Sequence, residues 1–241
     1  MVKRIDEIIR NVEPAMIQVR RHLHQYPELS GHEYETSRTI QKVLAEADIP
    51  FELIEGRSIV ATVSGKQPGK VLVIRGDFDA LPIQEINDLP YISRTPGVMH
   101  ACGHDCHAVL TLATGLVLQR VRDSFSGSVK LLFQEAEETG SGALIALKTG
   151  LLDGSDNSLS IHLLPDRDVG QFITRYGLFC SYGLAADIQI TGKAGHPAHP
   201  DYTVNPIFIG INVVNAINAM LAYEIAPYDT VVASTIYFNA G

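Results

Sequence analysis

The chain has 241 residues, 46% of them hydrophobic, and a formal net charge of −8, a balance that suits a folded domain with a sizeable core and argues against a disordered chain. The negative charge, with no basic cluster to offset it, argues against nucleic acid and anionic membrane surfaces as partners. Three cysteines make no disulfide framework, the charged N-terminal stretch MVKRIDEIIRNVEPAMIQVRRHLHQ lacks the features of a secretory signal, and no uninterrupted apolar run approaches bilayer length, so a cytoplasmic protein is expected.

Ile5, Ile8, Ile9, Val12, Met16, Val19 and Leu23 recur at helical spacing, with Pro14 placed to start a second helix or to kink the first. A further helix is predicted over 34–47, then strands at SIVATVS and VLVIRGD, the second a continuous apolar run of the kind buried on both faces. A helix over 107–122, a strand at SVKLLF, a short helix over 142–148 and a strand at SLSIHLL follow. This alternation predicts an α/β layer with a mostly parallel central sheet flanked by helices. After about Cys180 the pattern changes: GLAADIQITG alternates apolar and polar residues, a helix is predicted over 206–221, and TVVASTIYF reads as a strand. We therefore expect two domains, 1–179 and 180–241, the second the beginning of a smaller α+β domain that continues beyond Gly241.

The segment HACGHDCHA, residues 100 to 108, holds three histidines and two cysteines in nine residues. Cys102 and His104, two apart, would project from the same side of an extended segment, and thiolate with imidazole favours a metal such as zinc over magnesium or calcium. Alternatively, the segment is a polar loop before a helix, with Asp105 as its N-cap and His107 packed in the first turn. Other chemistry-bearing residues fall where strands end, the edge at which open α/β sheets collect functional groups: Asp77 and Asp79, then Glu135, Glu137 and Glu138, then His162. Singly, each has a structural reading: solvated carboxylates at a helix start, or a hydrogen-bonded core histidine. Jointly they predict a metal centre in which one of the adjacent Glu137 and Glu138 binds metal while the other takes a proton from water. Neighbouring carboxylates suit a glycosidase poorly, because that chemistry places them on opposite sides of a sugar ring. The RGD at 75–77 ends an apolar strand, and no phosphate-binding glycine loop is present. ITGKAGHPAHPD, with His196 and His199, reads from its composition as a turn.

The stretches RRHLHQYPELSGHEYET, IRGDFDALP, GVMHACGHDCHA, LLFQEAEE, IHLLP and ITGKAGHPAHPD, taken in order, resemble the M20 metallopeptidases, most closely the amidohydrolase branch of aminoacylase, hippurate hydrolase and auxin-conjugate hydrolase type. The resemblance implies a zinc-peptidase-like catalytic domain with a smaller lid domain that often mediates dimerisation, hence a homodimer. It implies two divalent metal ions, manganese or zinc, held by residues matching Cys102, His104, Glu138 and His162. Glu137 would match the general base and Asp79 a carboxylate behind the ligands, while Asp77 sits where related branches supply a ligand. His196 would match a lid histidine that stabilises the tetrahedral oxyanion, in related enzymes at the partner subunit's site. The implied substrate is an N-acyl amino acid or a short peptide-like conjugate.

Three departures stand out. The family has a further metal-binding histidine downstream of this chain's end, Cys106 stands where a glycine is usual, and Glu135 replaces a usual proline. Cys106 could add a ligand or form a disulfide with Cys102. The rival expectation is an inactive truncated fragment that binds metal or dimerises without catalysis.

Overall fold

A computed structural model describes residues 2–55, 57–177 and 183–240. They fall into two compact units, Met1–Arg167 and Asp168–Gly241; the boundary expected at 179/180 lies outside the described residues.

In the first unit, helix α1, Val2–Gln25, buries Ile8, Val12, Met16 and Leu23 along one side, the spacing of an amphipathic helix. Pro14 lies inside it on the exposed side, so the helix is continuous rather than restarted. Helix α2, Tyr34–Glu46, buries Ile40 and Leu44. Strand β1, Phe51–Ile54, absent from the expected elements, forms an antiparallel hairpin with β2, Ser58–Ser64. Then come β3, Gln67–Asp77; α3, His104–Val121; β4, Ser126–Gln134; α4, Gly142–Lys148; and β5, Asn157–Ser160.

The sheet order is β1-β2-β4-β3-β5. β3 runs parallel to β4 and β5, whereas β2 is antiparallel to both of its neighbours. The parallel part therefore ends its strands on one edge, with Asp77 opposite Gln134.

Alternating side chains sort the core into two layers. On one face Ile74, Leu131 and Phe133 pack with Leu23, Ile40, Leu44 and Leu112 from α1, α2 and α3. On the other, Val60, Val73 and Leu132 pack with Ala146 of α4. Fully burying a leucine such as Leu112 is worth about 1.5–3 kcal/mol, so this core carries the sheet. Gly76 fixes how close α3 can come: a Cβ there would lie 2.6 Å from the His107 carbonyl oxygen and 2.5 Å from Thr111 Oγ1. The first turn of α3 thus sits directly against the end of β3.

In the second unit, helix α5, Pro206–Tyr223, is capped by Asn205, whose side chain accepts from the Ile207 N–H at 3.0 Å. The strands expected at GLAADIQITG and TVVASTIYF are not formed; the unit's ladder is one antiparallel bridge, Lys193 with Val204, among the described residues. Alternation is a local property, but a strand exists only where a neighbour takes its backbone hydrogen bonds. Although Asn212, Asn215 and Asn218 interrupt its apolar run, α5 has a mean hydropathy of 1.5 over 18 residues and is long and apolar enough to cross a membrane by length and composition.

Candidate metal centre

The edge formed by β3, β4, β5 and the start of α3 collects most of the residues singled out from sequence. Cys102 lies in the turn before α3, and His104 is the first residue of the helix rather than part of an extended segment. His104 is buried, and its Nδ1 pairs with Asp79 Oδ1 at 2.9 Å. Because a carboxylate only accepts, Nδ1 carries the proton and the lone pair of a neutral ring lies on Nε2. That Nε2 is buried without a hydrogen-bond partner. Around it stand Glu138 Oε1 at 3.7 Å, Asp77 Oδ2 at 3.8 Å and Glu137 Oε2 at 3.9 Å.

Two ligand sets meet at His104, one with Cys102 and His162, the other with Glu137 and Glu138; within each, one donor atom per residue lies within 4.8 Å of the others. Cys102 Sγ is 3.4 Å from His162 Nε2, and His162 Nδ1 donates to the Leu163 carbonyl oxygen at 2.7 Å, which leaves its Nε2 facing the thiol. An unpartnered imidazole nitrogen among a thiol, a second imidazole and two carboxylates fits a divalent transition metal. A third set, Asp77, His104 and His107, also lies within that distance, but His107 is already engaged. Its Nδ1 pairs with Asp77 Oδ1 at 2.7 Å, and its Nε2 accepts from the Leu163 N–H at 3.0 Å. That last contact explains why β5 stops at Ser160 although a strand was expected through Leu164: the chain leaves the ladder to reach His107.

The electrostatics match a cation. Burial works against a charged His104, but the hydrogen bond to Asp79, the neighbouring Cys102 thiol and the charges of Asp77 and Asp79 outweigh it and raise its pKa to about 11. Burial would likewise raise Asp79; hydrogen bonds from His104, the Glu138 N–H at 3.0 Å and the Ser30 hydroxyl at 2.7 Å hold it below the ordinary range. Asp77 is lowered against its own burial by His107 and by Arg75, 2.7 Å away. Glu138 moves up, from burial reinforced by Glu137 and Asp79.

Several residues at this site had not been singled out. His24 bridges Asp105 and Glu85, at 2.9 Å from Nδ1 and 3.1 Å from Nε2, and Arg20 Nε lies 2.7 Å from Asp105. Asp105 is therefore the buried centre of an ion-paired network, and the N-cap of α3 is Gly103. The signal lay in RRHLHQ, where Arg20 and His24 share a helix face at i and i+4. Cys106 and Cys102 are both free thiols, and burial pushes that of Cys106 up. Glu135 is buried and paired with Arg57. His196 belongs to the second unit, where its Nδ1 accepts from the Ala198 N–H at 3.2 Å.

The model of peptidase family M20/M25/M40 matches residues 73–236. The chain belongs to this family. It is 36% identical to thermostable carboxypeptidase 1 of Saccharolobus solfataricus, covering 100% of this chain and 62% of that protein. It is 36% identical to the N-acyl-L-amino acid amidohydrolase of Geobacillus stearothermophilus, with 98% and 65% covered. A crystal structure from methicillin-resistant Staphylococcus aureus superposes with a TM-score of 0.79 at 35% identity, over 95% of this chain and 62% of that one. A dinuclear metal-binding M20 peptidase of Bacillus subtilis superposes with a TM-score of 0.63 at 38% identity, over 65% and 45%. The chain thus spans about three fifths of the length of the curated relatives it matches. The α/β fold with helices flanking the sheet is that of the M20 catalytic domain, and a divalent metal centre agrees with both the donor set and the dinuclear neighbour.

Proposed function

We propose that this chain supplies the catalytic centre of a metal-dependent amidohydrolase that cleaves N-acyl amino acids or small peptide-like conjugates. The observation that carries the reading is the buried, unpartnered His104 Nε2, fixed by Asp79 and ringed by Cys102, His162, Glu137 and Glu138. Cys102, His104, Glu138 and His162 would hold two divalent ions; the thiolate leans toward zinc, and the carboxylate leaves manganese open. When bound, such ions polarise an amide carbonyl and make water more acidic.

The protein's own groups would do the rest. Glu137 is the more exposed of the adjacent pair, 39% against 22% for its side chain, which suits a group that takes a proton from the attacking water and delivers it to the leaving amine. Asp79 orients His104 and, through the Glu138 N–H, also fixes the backbone of a second ligand. We assign oxyanion stabilisation to His196 by family resemblance. A cytoplasmic homodimer assembled through the second unit completes the proposal; exposed apolar side chains on α5, Phe208 and Ile211 among them, support a covering partner.

Glu137→Gln tests the assignment. Hydrolysis of N-acetyl and N-benzoyl amino acids should fall at least about a hundredfold while metal content measured by mass spectrometry stays near that of the wild type. Turnover retained at the wild-type level would remove Glu137 from the role of base.

A further inference from the structure

The turn that delivers Glu137 and Glu138 passes through a non-glycine residue in the left-handed region: Ala136 has φ +48°. An L residue adopts that conformation at a cost and keeps it only where its surroundings hold it. The surroundings are specific. The Ala136 N–H donates to Glu33 Oε1 at 2.8 Å, and both residues are buried. The Ala136 carbonyl oxygen accepts from the Gly142 N–H at 3.2 Å and from Thr139 Oγ1 at 3.3 Å. Residue 142 must be glycine for this closure, since a Cβ there would lie 1.7 Å from the Glu135 carbonyl oxygen.

Glu33 comes from the residue before α2, remote in sequence, and it is completely buried. Its second oxygen, Oε2, lies 3.5 Å from Arg57 Nε, and Arg57 also pairs with Glu135. A carboxylate is costly to bury, so its place here calls for a purpose. The proposed chemistry uses neither Glu33 nor Arg57.

We propose that Glu33 is a positioning residue which clamps the left-handed Ala136 peptide and thereby aims Glu137 and Glu138 at His104 Nε2. Without the clamp, Ala136 relaxes toward negative φ and the two following residues rotate away from their places 3.9 and 3.7 Å from that nitrogen. The inference rests on the reading of Glu137 and Glu138 as members of a metal site.

The test uses the full chain with Mn2+ alone as the probe, binding followed by calorimetry. Glu33→Ala should weaken binding about tenfold or more. Glu33→Gln should recover most of that loss, because its amide oxygen still accepts from the Ala136 N–H. Adding Ala136→Gly to Glu33→Ala should recover it as well, since glycine takes positive φ without strain. Unchanged binding in Glu33→Ala, or no recovery in either companion variant, overturns the proposal. Should Glu33→Ala not fold, Ala136→Val attacks the same turn from its other side, because a β-branched residue resists positive φ; undiminished Mn2+ binding there overturns the proposal equally. Amide exchange at Ala136 needs no metal: it should be slow in the wild type and fast in Glu33→Ala, and fast exchange in the wild type refutes the clamp. A wild-type chain that binds no Mn2+ counts instead against the proposed function, and the Ala136 exchange rate then decides the clamp by itself.

Discussion

His104 and His107 lie one helical turn apart at the start of α3, both buried and both with Nδ1 on a carboxylate, Asp79 for one and Asp77 for the other. They differ at Nε2. That of His107 is satisfied by the Leu163 N–H, whereas that of His104 meets only ligand-type atoms. The contrast teaches that a histidine-rich motif is sorted into chemistry and scaffold by the far nitrogen of each ring. One imidazole turns an unpartnered nitrogen to the site; the other ties β3, α3 and the segment after β5 together.

The largest effect should come from exchanging the roles one residue at a time. His104→Ala is expected to abolish metal binding at micromolar concentrations of Mn2+ or Zn2+. His107→Ala should keep metal and lose stability instead, about 1–3 kcal/mol by chemical denaturation, because Asp77 and the Leu163 N–H are left without their buried partner. Equal metal loss in both variants would erase the distinction.

A smaller effect is expected one step back from the ligands. Asp79→Asn removes the negative charge behind His104 and leaves one acceptor oxygen where the carboxylate used two, for His104 and for Ser30 and the Glu138 N–H, and should lower metal affinity about 10–100-fold. Asp77→Asn should change it less, since Asp77 serves His107 and Arg75. Titration of both variants with one metal gives the ranking, and the reverse order would move Asp77 into the ligand set.

The smallest effect concerns the network behind the site. The hydrogen bond with Asp105 raises the His24 pKa against the penalty of burial, with Glu85 assisting. A raised histidine contributes its full stabilisation below its unfolded value, about 6.5, and loses it as pH rises through the folded value. Thermal midpoints of His24→Asn and the wild type should therefore differ most at mildly acidic pH and converge as the medium becomes alkaline. A gap that stays constant across that range would mean that His24 is held by packing alone.

Much of the first unit was legible in the residues. The apolar periodicity from Ile8 to Leu23, the run VLVIRGD and the helix over 142–148 report local patterns that the fold kept, because each element's buried face was written at its own period. The strand ends at Asp77 and Gln134 also followed, since parallel pairing brings them to one edge. The second unit shows the limit: GLAADIQITG alternates as a strand should, yet it forms no ladder, because a partner cannot be read from the strand that needs it.

At the site, sequence determined which residue types were available: the thiol, the imidazoles and the paired carboxylates of HACGHDCHA and QEAEE. Tertiary structure decided which of them were left free. Only folding could bring Leu163 to His107 and not to His104, set Asp105 against His24 from α1, and lay Glu33 on the Ala136 peptide, because hydrogen-bond satisfaction in a buried site depends on atoms contributed from distant parts of the chain.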